Sequence, residues 1–338
     1  MCDCSHLVVA GGGPLGLRYF GVLNTLRVNG GLQIDSIKSM YATSIGGIVC
    51  VLAYLAGDNE TRWQETENYL INRPWQKVFG VSGHRFMQAF SKCGVFDEQL
   101  IRDIMEPILN SHGLCTDITL HQLDEWKKQQ NNNNNNNETT SFVLVTCEVN
   151  SMQTVYVSKD THPSLPLIKA LTMSCSIPGL FSPVYWEGKC YVDGGVLCNV
   201  PLQESLNQQQ QQQQKKKKEK TLLIYSSVHH HQSTATTTAT TTATTTTAAT
   251  TTTTHEEMNM VEFMTVFMSN WFANQLSQQN QFDNTEQSLL KIVNCSMDVP
   301  PSVLSIHVWR TLLETKEKRR QWVQDYGKVD CSKLLISS

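Results

Sequence analysis

The stretch HLVVAGGGPLGLRYFGVL, residues 6–23, begins as an apolar run, breaks on three glycines and resumes with apolar residues at three-residue steps. Residues 6–10 read as a short buried strand and Gly11, Gly12 and Gly13 as a turn. Leu17, Phe20, Leu23 and Leu26 mark one face of a helix that Gly30 and Gly31 stop. The pattern then repeats: residues 36–41 predict a second strand and residues 45–56, IGGIVCVLAYLA, a second helix. Two such units in succession predict a βαβα start to a parallel sheet, with both turns on one sheet edge.

Farther along, Asp97 is placed to cap a helix carrying Leu100, Ile101, Ile104, Met105 and Ile108 on one face. Residues 141–149 and 154–158 predict two strands joined by a tight turn, 165–173 a helix, and 190–192 and 221–226 two more strands. Low-complexity tracts at 131–137, 208–220 and 231–254 carry no apolar periodicity and read as disordered loop insertions. Residues 256–338 read as a helical C-terminal region. The expectation is a single domain over 1–338 with its motif core at 6–230.

Of 338 residues, 40% are hydrophobic, enough for a sizeable core, and the net charge of −3 gives no global attraction to nucleic acid. The basic run at 215–218 adjoins the glutamines and reads as a solvated loop. Eleven cysteines at scattered spacings, without a C-x-x-C pair, predict free thiols in a reducing compartment. The first ten residues lack a basic region and a long apolar stretch, so no signal peptide is expected; Cys2 and Cys4 are weighed as lipid acceptors and set aside. Residues 45–56 are too short to span a bilayer, and a cytoplasmic protein is the expectation.

Ala42-Thr43-Ser44-Ile45-Gly46 falls at a predicted strand-to-helix junction, where a G-x-S-x-G turn holds a serine hydroxyl above the sheet. An unassisted hydroxyl is a poor nucleophile, so Ser44 needs a base, and the oxyanion formed on attack needs donors. The glycine turn can supply N–H donors, helped by the positive end of the following helix. Asp193 follows a short strand, and Gly194 and Gly195 let the backbone swing its carboxylate outward.

With these segments in hand, the chain resembles the patatin-like phospholipase family in four places, in the family's order. They are the loop Gly11-Gly12-Gly13-Pro14-Leu15-Gly16 continuing into Gly21-Val22-Leu23, then Thr43-Ser44-Ile45-Gly46-Gly47, then Ser176-Ile177-Pro178-Gly179-Leu180-Phe181-Ser182-Pro183, and last Asp193-Gly194-Gly195 with Asn199-Val200-Pro201. The resemblance implies a three-layer α/β/α sandwich with a mainly parallel sheet. It also implies a Ser44–Asp193 dyad, an oxyanion hole at Gly11, Gly12 and Gly13, supporting glycines at Gly16, Gly46, Gly47, Gly194 and Gly195, and hydrolysis of phospholipid or other glycerolipid esters without a metal or cofactor. A transient contact with a membrane surface goes with such a substrate, and no nucleic-acid partner. Two positions depart from the family pattern: Leu15 stands where Arg or Lys is usual, and Ala42 where glycine is usual.

Three other readings compete. Gly11, Gly13 and Gly16 spell G-x-G-x-x-G with Asp35 downstream, as in a dinucleotide site, but that leaves the other segments unexplained. Ser44, Asp193 and His307 spell a conventional triad, but only one strand and one helix precede Ser44. Leu15 motivates a catalytically silent lipid-binding or scaffold protein of the same fold.

Overall fold

A computed structural model describes residues 4–80, 89, 91–131, 140–212, 219–226, 290–295 and 315–324. Strand β1 (Cys4–Val9) leads through the glycines and a 3-10 turn, Gly13–Leu15, into helix α1 (Gly16–Val28). Strand β2 (Ser39–Thr43) enters α2 (Ile45–Ala56) with only Ser44 between them. Helices α3 (Glu60–Asn72), α4 (Trp75–Val78), α5 (Glu98–Ser111) and α6 (Leu120–Asn131) follow. The Asp97 side chain caps α5 by accepting the Gln99 N–H at 3.1 Å. Then come β3 (Ser141–Glu148), β4 (Gln153–Val157), α7 (Leu167–Cys175), β5 (Val184–Trp186), β6 (Lys189–Asp193), α8 (Leu202–Gln212), β7 (Lys220–Tyr225), β8 (Leu290–Asn294) and α9 (Lys316–Gln324).

The strands form one sheet in the order β5-β6-β3-β2-β1-β7-β8, with β4 also paired to β3. The pairs β3/β2, β2/β1, β1/β7 and β7/β8 are parallel; β3/β4, β3/β6 and β5/β6 are antiparallel. Side chains alternate across it as the two-residue period requires. Leu7, Val9, Met40, Ala42, Leu144, Leu222 and Ile224 join the main core, together with residues of α1, α2 and α7. Val8, Ala10, Tyr41, Val143 and Leu223 face the other way and pack with Leu202 and Leu206 of α8. The central strands are therefore buried on both sides, which explains their near-continuous apolar runs. The result is the expected three-layer α/β/α sandwich.

Some expectations are corrected. The second strand begins at Ser39 rather than 36, because Ile34–Ser36 form a 3-10 turn whose Ile34 N–H is held by the Asp58 carboxylate at 2.7 Å. The tract at 208–220 is not uniformly a loose insertion. Residues 208–212 continue α8, and Gln209 is buried with its Nε2 donating to Ser205 Oγ and Thr221 Oγ1, each at 3.1 Å. The C-terminal region is not purely helical, since β8 adds a strand; α9 packs on α1 and α3. Residues 132–137, 215–218 and 231–254 lie outside the described residues, as do Cys2, the histidines at 229–231 and His307. Among the described residues no helix is long and apolar enough to cross a membrane.

Candidate active site

Strand register brings the singled-out residues to one level of the sheet. Thr43 is opposite Val145 on β3, so Ser44 stands level with Thr146, which is itself opposite Asp193 on β6. On the other side Val9 is opposite Ala42, so the glycines after β1 emerge beside Ser44; a Cβ on Gly11 would sit 3.3 Å from Ser44 Cβ.

Ser44 has φ 55° and ψ −130°, a backbone conformation that side-chain-bearing residues rarely adopt. Two contacts hold it. Its N–H donates to Ser174 Oγ at 2.9 Å, and Ser174 Oγ donates to the Val145 carbonyl at 2.7 Å, tying the turn to α7 and β3. Gly46 lets α2 approach β1: a Cβ there would lie 2.6 Å from the Val9 carbonyl oxygen and 2.7 Å from that of Ala10. Ala42 is fully buried in the sheet core, so the departure from glycine there is absorbed by packing.

Asp193 ends β6 and is 1% exposed. Its N–H donates to the Ser176 carbonyl at 2.8 Å, and Thr146 Oγ1 donates to the Val192 carbonyl at 2.7 Å, fixing the strand end. Asp193 Oδ1 accepts the Gly195 N–H at 2.7 Å, while Oδ2 is buried with no partner of hydrogen-bond geometry. Burial pushes the carboxyl up to about 7, against smaller lowering contributions from the Ser44 side chain and the Gly195 N–H. The Ser44 side chain is thus near enough to act on the carboxyl.

The glycine loop separates into two jobs. The Gly11 N–H donates to the Asn199 carbonyl at 3.2 Å, so Gly11 is corrected from donor to structural tie; Asn199 Nδ2 also reaches the Gly11 carbonyl at 3.4 Å. The N–H groups of Gly12 and Gly13 have no acceptor among the described residues. Gly13 has φ 52°, a turn that glycine adopts without strain. Leu15 is buried in the main core, so the hydrocarbon side chain is part of the packing and the loop's donors are backbone groups. Gly16 packs against Ile45, Gly47 against Leu144, and Gly194 against the Val145 carbonyl.

A second constellation escaped the sequence reading. His6 Nδ1 is 2.8 Å from Ser39 Oγ, and His6 Nε2 donates to Glu219 at 2.8 Å; Lys38 Nζ also pairs with Glu219. It spells Ser-His-Glu, but at the opposite end of the same strands. The tertiary supports Ser174 and Thr146 escaped it too, since neither is marked by spacing relative to Ser44, and Asn199, quoted with the last motif, was not read there as a tie to Gly11.

Comparisons with known proteins bear on the family. The family model for patatin-like phospholipase matches residues 7–206. A probable lipid hydrolase of Invertebrate iridescent virus 6 is 21% identical over 198 residues, 58% of this chain and 61% of that protein. An uncharacterized protein of Acanthamoeba polyphaga mimivirus is 22% identical over 197 residues, 58% of this chain and 60% of that one. The chain thus spans about three fifths of the length of these curated relatives. Among solved structures, VipD from Legionella pneumophila is similar with a TM-score of 0.41 and 14% identity, over 96% of this chain and 67% of that one. ExoU from the ExoU-SpcU complex of Pseudomonas aeruginosa gives 0.42 and 16%, over 98% of this chain and 52% of that one. With the family match covering more than half of its length and every motif inside it, this chain belongs to the patatin-like phospholipase family.

Proposed function

We propose that the protein is a lipid acyl hydrolase that cleaves carboxylic esters of phospholipids or neutral glycerolipids with a Ser44–Asp193 dyad. Family membership and the probable lipid hydrolase among its relatives support the broad reading of lipid hydrolysis. The observation that carries the dyad is the buried Asp193 carboxyl, with one oxygen unpartnered, beside a serine held at positive φ.

In this mechanism Ser44 Oγ attacks the ester carbonyl as its proton passes to Asp193 Oδ2. A carboxyl brought up to about 7 suits that work, because its base form is populated at neutral pH while its proton affinity is far above that of an exposed aspartate. The tetrahedral oxyanion is held by the N–H groups of Gly12 and Gly13, where each donor contributes on the order of 10²–10³ in turnover. The protonated Asp193 then gives its proton to the departing alkoxide, leaving an acyl ester on Ser44. Asp193 next takes a proton from water, which attacks the acyl carbon and releases the fatty acid. The water's proton returns to Ser44 Oγ.

Fluorophosphonate labelling tests this directly. The wild-type chain should be modified at Ser44, and folded Ser44→Ala should neither label nor turn over, a loss of about 10⁴-fold or more in kcat. Labelling at another serine, or ester hydrolysis that survives in folded Ser44→Ala, would overturn the assignment.

A further inference from the structure

Helix α7 ends against both members of the dyad. The last turn of a helix leaves carbonyls without donors of its own, and here the sheet supplies them. Thr146 Oγ1 shares its hydrogen between the Met173 carbonyl at 3.1 Å and the Val192 carbonyl at 2.7 Å, and the Asp193 N–H donates to the Ser176 carbonyl at 2.8 Å. Ser174 reaches the other way. Its Oγ accepts the Ser44 N–H at 2.9 Å and donates to the Val145 carbonyl at 2.7 Å, the same carbonyl against which Gly194 packs. Ser174 thus takes the backbone of Ser44, and Ser176, two residues on, the backbone of Asp193. Both serines are fully buried, so solvent does not stand in for either bond. With the Ser174 hydrogen committed to Val145, its oxygen is left to accept, and the Ser44 N–H has to point at it. At φ 55° that N–H sits in a turn that a side-chain-bearing residue leaves readily unless it is held.

From this bracket we propose that Ser174 is a positioning residue of the reaction: its hydroxyl holds the Ser44 backbone in the conformation that presents Oγ to Asp193. The inference rests on the dyad reading above and adds the residue that fixes the dyad's geometry. Ser174 acts through Ser44 and not on the substrate. Without its hydroxyl the Ser44 N–H is a buried donor with nothing to bond, the turn relaxes toward an ordinary φ, and Oγ swings away from the carboxyl. A misplacement of about 1 Å at a reacting group costs about 10²-fold in rate. The other titratable groups near the carboxyl are the Cys147 and Cys175 thiols, which burial keeps protonated through the neutral range, so the dyad's charge changes with Asp193 alone.

The test separates acceptor from shape. With p-nitrophenyl butanoate and the full chain, Ser174→Ala should lower kcat about 10²-fold and leave KM within about threefold. Ser174→Cys, close to serine in shape but a weak acceptor, should fall with it, and Ser174→Thr, which keeps the hydroxyl, should return to within about tenfold of wild type. A cysteine variant that keeps wild-type kcat, or a folded threonine variant no better than alanine, overturns the inference. A second arm needs no turnover: carbon-13 NMR titration of the Asp193 carboxyl, its resonance assigned by its loss in Asp193→Asn. Because the Ser44 side chain lowers this carboxyl, the midpoint should rise in Ser44→Ala, rise equally in Ser174→Ala, and rise no further in the double variant. A midpoint that moves in Ser44→Ala but stays at the wild-type value in Ser174→Ala would sink the inference whatever the activity. One that Ser44→Ala does not move breaks the dyad and the inference together. Shared shifts in a protein inert to every ester would instead break the hydrolase reading and leave the positioning of Ser44 by Ser174 standing.

Discussion

The two ends of the central sheet each gather a serine and a carboxylate, and they treat them in opposite ways. At the end where β1, β2 and β7 begin, Ser39, His6 and Glu219 complete one another's hydrogen bonds, and Ser39 starts a regular strand. Burial keeps His6 below the ordinary histidine range, so its neutral ring donates to Glu219 and accepts from Ser39. At the other end Ser44 sits at positive φ and Asp193 keeps one oxygen unpartnered, and the Gly12 and Gly13 N–H groups of the adjoining loop have no acceptor among the described residues. Spelling favours the first set, since it reads Ser-His-Glu; physical state favours the second. A closed network has nothing left to offer a substrate, whereas strain, an orphaned carboxylate oxygen and free donors are groups waiting for a partner.

The sharpest way to break this comparison is Asp193→Asn. Without a base its kcat/KM should fall by about 10³-fold or more, and the wild-type profile should decline about tenfold per pH unit below an apparent pKa of about 7, because only the ionised carboxyl accepts the proton. A wild-type rate independent of pH between 5 and 8 would remove Asp193 from the mechanism.

The same substitution should raise stability. An unfolded aspartate titrates near 3.9 and the folded one at about 7, so the folded state disfavours the ionised form, fully so above pH 7, and the penalty shrinks as pH falls from 7 toward 4. Asp193→Asn should therefore be more stable than wild type in urea melts at pH 8, by a margin that narrows by on the order of 2–3 kcal/mol at pH 5. The His6 end has the reverse sign. Its folded pKa is lowered, so its contribution is present above the unfolded histidine value and lost as pH falls through the folded one.

Ser39→Ala should cost about 1–2 kcal/mol by leaving buried His6 without a donor, yet keep hydrolysis within about twofold. A large loss of kcat at constant stability would make the Ser-His-Glu set catalytic and reverse the comparison. The smallest effect expected is in Gln209→Ala, which removes hydrogen bonds to Ser205 and Thr221 and should cost about 1 kcal/mol. No change in its melting would return this glutamine to the status of solvated tract.

These residues also mark where sequence was informative. The strand-turn-helix repeats, the Ser44 turn and the Asp97 cap were legible because each is local: period, small residues and a capping side chain act within a few positions. Asp193 was legible through the order of its motif with the others, and the sheet register explains why that order works, since β3 carries Thr146 opposite Asp193 and one step beyond Thr43. Ser174 and Thr146 act on groups far away in the chain, and nothing in their own neighbourhood announces it; Asn199 stood in the last motif, but its partner, Gly11, was not legible from there. The Gly11 assignment failed for that reason: only the fold shows Asn199 taking its N–H. Composition misread Gln209 because a low-complexity tract gives no sign of which member faces Thr221.

The backbone of Ser44 carries a last consequence. A non-glycine residue in such a region costs on the order of 1–3 kcal/mol, and burying an ionisable Asp193 adds to that. Selection for persistence alone would replace both, with glycine at the first and an uncharged residue at the second, and the protein would gain robustness from each exchange. Mutational drift and the search for heat-stable variants should thus converge on these two positions, and a screen that rewards only solubility or melting temperature will tend to discard the proposed reaction first.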